Sequence, residues 1–305
     1  MARWRSADTT ECAGGCMSGS GPGPVVQSAL LRTELVRLRR DNRLTQDAVA
    51  KSLEWSPSKL IRIEGGKTGI TKSDLQALLN EYGVSSPTKS DRLQALARGA
   101  KGAAWWDRYK GKVSDAYLTY VGYEAGAAFI RQFQPSVIPG LLQTQEYAQV
   151  MVGGAVSSQL AAAVRLRLQR QQELALRDDL PHRYFILDEA VIRRHVGAKV
   201  DSRIMPTQLR SLVELAQKDP RLTIAVIPFS AGAHEGMTRG PITVLGFEEG
   251  LGDLLYRERG ESPATTFDDE LVSSFRDIFE SLVNEALTPE KSLELIAKTA
   301  DDLMK

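Results

Sequence analysis

The stretch Thr45-Gln-Asp-Ala-Val-Ala-Lys-Ser-Leu-Glu-Trp-Ser-Pro-Ser-Lys-Leu-Ile-Arg-Ile-Glu64 reads as two short helices across a tight turn. Thr45 is placed to cap the first helix, Gln46 to Leu53, whose apolar positions are Ala48, Val49, Ala50 and Leu53. After a turn through Glu54 and Trp55, Ser56 stands at an N-cap and Pro57 at the first helical position, where the absent N–H would have been unsatisfied anyway. The second helix runs to about Glu64, and Gly65-Gly66 stops it. Small Ala50 falls where the two helices must approach, and Leu53, Leu60 and Ile63 supply a shared core. Ser56, Ser58, Lys59 and Arg62 lie on the other face. This is the helix-turn-helix arrangement, in which the second helix points its first residues at base edges in the DNA major groove. An ordinary helical hairpin is the plainer alternative.

Working outward, a helical period begins at Val25, with Leu31, Leu35 and Leu38 at i, i+4 and i+7. Downstream, Thr71 and Asp74 form a capping pair for a fourth helix through Leu75, Leu78 and Leu79, and a fifth spans about Pro87 to Arg98. Residues 25–101 are thus predicted to form a five-helix helix-turn-helix domain. Its charge agrees, since this segment holds about 14 lysines and arginines against 8 acidic residues, a local balance of about +6. The whole chain of 305 residues carries only +1, so the remainder is acidic. A basic reader joined to an acidic second domain fits a DNA-binding protein with a separate sensing or docking part.

Residues 1–24 are rich in Gly, Ser and Pro and are expected to be a disordered leader, with Met17 an alternative start. Cys12 and Cys16 are the only cysteines, and no second ligand pair stands near them, so they read as free thiols rather than a zinc site. No apolar run approaches a membrane span, and the N-terminus lacks a secretory core. A cytoplasmic protein with no metal and no cofactor is expected.

Residues 102–305 have a mixed texture. Beyond a linker containing Trp105-Trp106, helices are predicted over about 114–131, 145–152, 158–177, 189–195, 207–218, 268–286 and 289–302. Short β-rich runs fall at Arg183–Leu187, Leu222–Ile227, Ile242–Phe247 and Leu254–Arg257. The fold class expected is multidomain, α followed by mixed α/β.

The residues Thr45-Gln46, Ala50 and Ser58 through Lys67 resemble the XRE family, the Cro and phage-repressor type of helix-turn-helix protein. The resemblance implies that Gln46 touches phosphate, that Pro57, Ser58 and Arg62 face bases, and that Lys67 approaches the backbone. It also implies an ion pair between Arg39 and Glu64. Ser56 is added to the phosphate contacts. Because Ser and Pro replace longer side chains here, base reading is expected to lean on Lys59 and Arg62, which can donate to guanine O6 and N7. Further on, Tyr120-x-x-Tyr-Glu-Ala125, Pro139-Gly-Leu-Leu-Gln-Thr144, Arg167-x-x-Arg-Gln171 and Glu290 to Ile296 resemble actinobacterial regulators that pair an XRE domain with a C-terminal domain of unsettled role. Some are described as antitoxin-like or developmental regulators, encoded beside a small partner protein. The resemblance implies double-stranded DNA as a partner, a homodimer, and that small protein as a further partner.

Catalytic constellations are incomplete. Gly66-Lys67-Thr68 lacks the first glycine and the preceding strand of a phosphate-binding loop, His234-Glu235 lacks the second histidine of a zinc-protease helix, and no G-x-S-x-G elbow occurs. Two loops stay open. Pro228 to Gly236 follows a predicted strand and is either a ligand loop or a plain connection. Pro139 to Thr144 is either a turn capped by Thr144 or the lip of a pocket, with Gln143 undecided. The Trp105-Trp106 and Tyr117, Tyr120, Tyr123 aromatics read as core. The C-terminal domain is therefore read as a dimerising, ligand-sensing or partner-docking part, with an unrecognised enzyme fused to a DNA anchor as the alternative.

Overall fold

The computed structural model describes residues 23–153, 158–248, 250–257 and 264–305. The leader with Cys12 and Cys16 lies outside the described residues. Five helices come first: α1 (Pro24–Asp41), α2 (Gln46–Ser52), α3 (Pro57–Glu64), α4 (Lys72–Glu81) and α5 (Pro87–Gly99). Their starts follow local chemistry. Thr45 accepts the Ala48 N–H and Thr71 accepts the Asp74 N–H, satisfying donors that the helix itself cannot reach. Leu31, Leu35, Val49, Leu60, Ile63, Leu75, Leu78 and Leu79 close an apolar core between them.

A 3-10 turn (Trp105–Tyr109) leads to α6 (Asp115–Glu124), β1 (Phe129–Gln134), α7 (Gln145–Met151), α8 (Ser158–Ala175), β2 (His182–Asp188) and α9 (Glu189–Arg193). Then come α10 (Ile204–Lys218), β3 (Leu222–Ile227), α11 (Gly236–Arg239), β4 (Ile242–Gly246), β5 (Leu254–Arg257), β6 (Ala264–Thr266), α12 (Asp269–Glu285) and α13 (Pro289–Asp302). Among the described residues the strands form one sheet of order β3-β2-β1-β4-β5-β6, parallel from β1 to β3 and antiparallel from β4 outward. Helix α12 covers one face with Phe275, Phe279 and Leu282, and the larger core lies on the other. The fold is multidomain, helical and then α/β.

The helix predicted over 114–131 is corrected here. It ends at Glu124, and Phe129–Gln134 is a central strand of the sheet. Tyr120, Tyr123, Ala127 and Ile130 fall at helical spacing, so periodicity alone continues the helix. Six residues between two strand partners, the last three all buried, are held as a strand by pairing that is not local. The short β6 was likewise not predicted, and α10 begins three residues earlier than expected.

Helix α1 belongs to two cores. Leu31, Leu35 and Leu38 pack within the helix-turn-helix region, while Val26, Ala29 and Leu30 pack with Trp106, Val121 and Tyr123. The close approach to α6 rests on its glycines. A Cβ on Gly122 would stand 2.4 Å from Val25, and one on Gly126 would stand 2.8 Å from Val26. Arg32 of α1 also donates to the Tyr123 hydroxyl at 3.2 Å. Among the described residues no helix is long and apolar enough to cross a membrane.

Candidate nucleic-acid interface

Between α2 and α3 the chain turns through Leu53 to Trp55, with Glu54 in the left-handed region at φ 54°. Trp55 N–H donates to Ala50 O at 2.8 Å and closes the turn. Helix α3 then buries Leu60 and Ile63 against Val49 and the rest of the core, and leaves Pro57, Ser58, Ile61 and Arg62 exposed. Ile61 is half exposed on this face. An exposed apolar side chain on the second helix is suited to touching base edges or the thymine methyl.

Arg39 clamps α3 from behind. Its Nε and Nη2 donate to the two oxygens of Glu64 at 2.7 and 2.9 Å, and its Nη1 donates to Leu44 O. Gln46 adds an amide donation to Glu64 at 2.7 Å. One carboxylate thereby ties α1, α2 and α3 together, and its bond to Arg39 raises the arginine pKa above its ordinary value. Gln46, placed on phosphate by the resemblance, has its amide turned inward in this structure.

Lys59 is also turned away from the exposed face. Its Nζ lies 2.6 Å from Asp74 on α4 and 3.8 Å from the centre of the Trp55 ring. Burial pushes the Asp74 carboxyl up, but the bonds from Lys59 and Thr71 more than offset this and hold it below the usual carboxylate range. Ser58 reaches only the Ser56 hydroxyl, at 3.4 Å. Arg62 and Lys67 are exposed, and no hydrogen bond or ion pair holds either side chain among the described residues. The surface is therefore organised around Ser56, Pro57, Ser58 and Arg62 on one helix and Lys67 in the loop beyond it. Asp74 as the partner of Lys59 was not read from the sequence, where it served only as part of a cap.

The second domain carries a buried polar cluster. Arg170 on α8 donates from Nε and Nη2 to Glu124 at 2.8 and 2.5 Å, and Tyr120 donates to the same carboxylate at 2.6 Å. Burial works against the Arg170 cation, and Glu124 with the hydroxyls of Tyr117 and Tyr120 outweighs it, leaving the pKa well above its ordinary range. A cavity of about 90 Å³ opens beside this cluster, lined among others by Tyr117, Tyr120, Gln134, Gln143 and Arg167. Tyr120 is thus core and cavity wall at once. Thr144 does cap α7, accepting the Tyr147 N–H, while Gln143 lines the cavity.

The Pro228–Gly236 loop is pinned rather than open. His234 Nε2 lies 3.0 Å from Asp188, and Phe229 N–H donates to Glu189 at 2.7 Å.

A helix-turn-helix region sharing its first helix with an α/β domain defines the class of protein. The helix-turn-helix domain family matches residues 30–93, and a family described as a domain of unknown function (DUF5753) matches residues 117–298. The second match spans more than half of the chain, and the chain belongs to that family. No curated protein and no solved structure matches it.

Proposed function

We propose that the chain is a sequence-selective, double-stranded DNA-binding regulator of transcription of the XRE type, and that its C-terminal domain receives a signal rather than performing catalysis. The observation that carries this is the exposed face of α3, where Pro57, Ser58 and Arg62 lie together, while among the described residues no side chain holds Arg62 or Lys67 in the loop beyond. In this reading Ser58 and Arg62 contact bases, while Ser56 and Lys67 serve the phosphates. Lys59 joins the base contacts only by leaving Asp74, and Gln46 reaches phosphate only by turning from Glu64. The resemblance to actinobacterial regulators supports a cytoplasmic homodimer, and adds an antitoxin-like role with a small protein encoded nearby. A dimer places two α3 helices on half-sites about one helical turn apart, which supplies the affinity that one small domain lacks.

Duplexes enriched from a random pool by the full-length protein provide the test. Arg62→Ala should weaken binding to the enriched site by about 1–3 kcal/mol and binding to random DNA much less. Lys67→Ala should weaken both alike and reduce the salt slope by about one. Enrichment of no sequence, or an Arg62→Ala variant with unchanged affinity, overturns the reading.

A further inference from the structure

The face of the sheet opposite α12 is apolar at its margins and polar at its centre. On β1, Ile130, Gln132 and Gln134 share that face because side chains alternate along a strand. Gln132 pairs with Thr243 on β4, and Thr243 pairs with Tyr256 on β5, so a polar row crosses three adjacent strands. All three residues are buried. Polar groups such as the Gln132 amide and the Thr243 hydroxyl lose water when buried on a sheet face, a cost that hydrogen bonds must offset.

Above the row lies the cavity of about 90 Å³. Its walls come from α6, α8 and the loop Ile138–Gln143. Six buried side-chain atoms find no hydrogen-bond partner among the described residues, and three of them belong to residues lining this one cavity: Gln134 Oε1, Gln143 Oε1 and Arg167 Nη1. Gln134 and Gln143 are 7% and 5% exposed. The orientation of Gln143 is fixed by its own bond, because Nε2 donates to Ile138 O at 2.8 Å and a flipped amide would bring two oxygens together. Its oxygen is therefore an acceptor. Arg167 contrasts with Arg170, one helical turn further along α8. Arg170 is satisfied by Glu124 and Tyr117, and no carboxylate answers Arg167 among the described residues.

The unmatched set thus consists of two acceptors and one cationic donor. Its complement is a molecule with N–H donors at one end and an anionic acceptor at the other. A cavity of about 90 Å³ limits the molecule to a small one. We propose that this cavity is a binding site for a small molecule bearing a carboxylate and an amino group, of the size of a small α-amino acid. Arg167 takes the carboxylate, and the side-chain oxygens of Gln134 and Gln143 take the N–H groups. The site deepens the reading of this domain as signal-receiving. Tyr117 and Tyr120 form its wall on α6, whose Gly122 packs on α1 together with Gly126 just beyond it, and α1 continues into the helix-turn-helix core.

The test is calorimetric titration of full-length protein with glycine, L-alanine and L-serine, and with acetate and methylammonium as probes carrying one function each. At least one amino acid should bind, and each single-function probe should bind about ten-fold more weakly or less, since each forgoes a charged hydrogen bond. Arg167→Met and Gln134→Leu should each weaken that binding by about ten-fold or more while the unliganded melting temperature is kept. Should one variant fail to fold, the other and the wild-type probe series still decide. Absence of heat from all three amino acids at millimolar concentration, or equal affinity for acetate and the amino acid, would overturn the proposal and leave a cavity that holds only water. Duplex binding measured on the same preparation separates the two readings. Lost amino-acid binding with retained DNA selectivity removes only the site, and the reverse removes only the regulator.

Discussion

Arg39 and Glu64 meet through bonds of 2.7 and 2.9 Å in the helix-turn-helix region, and Arg170 and Glu124 meet through bonds of 2.8 and 2.5 Å beneath the sheet. Both carboxylates have side chains 4% exposed. The surroundings differ. Glu64 takes one more donor, Gln46, and beside this pair the Tyr82 hydroxyl is buried without a partner among the described residues. Glu124 and Arg170 belong to a larger polar cluster that includes Tyr117 and Tyr120, and it borders a cavity where Gln134, Gln143 and Arg167 have unmatched atoms. The first pair holds three helices so that a surface can be presented. The second stiffens the wall of an interior space. Burial of charge is common to both, so what separates them is the kind of unmatched group nearby: a lone hydroxyl beside Glu64, against two carboxamide oxygens and a guanidinium nitrogen gathered on one cavity beside Glu124 among the described residues.

The sharpest way to break this comparison is to neutralise each carboxylate. Glu124→Gln leaves the Arg170 cation buried without its counter-charge and should destabilise the protein by about 3–5 kcal/mol in urea unfolding. A loss below about 1 kcal/mol would mean that water reaches Arg170 and that the cluster is not an interior one. Glu64→Gln should be milder, about 1–3 kcal/mol, because Arg39 is 12% exposed and keeps its bond to Leu44 O. It should also lower duplex affinity by loosening α3, with amino-acid binding unchanged. Equal damage to both functions would show that the two regions respond as one unit through α1.

The smallest effect concerns pH. The Asp74 carboxyl lies below its ordinary range once the bonds from Lys59 and Thr71 have outweighed its burial. A depressed folded pKa contributes stability that is present above the unfolded value of about 3.9 and is lost as pH falls through the folded value. Below about pH 4 the slope of stability against pH should therefore be shallower in Asp74→Asn than in the wild type, by up to about one proton. Unfolding curves at several pH values measure this. The same variant frees Lys59 from its ion pair, so its salt slope for duplex binding should steepen by about one if Lys59 then reaches DNA.

The helix-turn-helix region was legible because its signals are local. Thr45 and Thr71 accept N–H groups three residues on, Ser56 and Pro57 occupy the N-cap and first helical position although the Ser56 side chain makes no cap bond, and the positions Leu31, Leu35 and Leu38 repeat on one helix. Pairing of Arg39 with Glu64 was implied only by resemblance, since 25 residues separate them and neither charge is unusual in itself. The placement of Lys59 on Asp74 was missed for the same reason. In the second domain, the four strands with flanking turn residues were readable, whereas β1 was hidden by apolar residues that fit a helix as well as a strand. Its pairing with β2 and β4 decided the matter, and no local preference reports that pairing.

Composition, caps and periodicity by themselves determined a basic helical DNA-reading region followed by an α/β domain. Tertiary structure alone decided that α1 serves two cores and that Gln134, Gln143 and Arg167 converge on one cavity with Thr243. These residues come from β1, a loop, α8 and β4, and in the sequence Gln143 alone is placed at a possible pocket lip. Helix and cap hydrogen bonds are closed within a few residues, so the sequence writes them directly. A cavity is closed by segments far apart in the chain, and the unmatched donors and acceptors inside it exist only once the sheet has paired and the helices have packed.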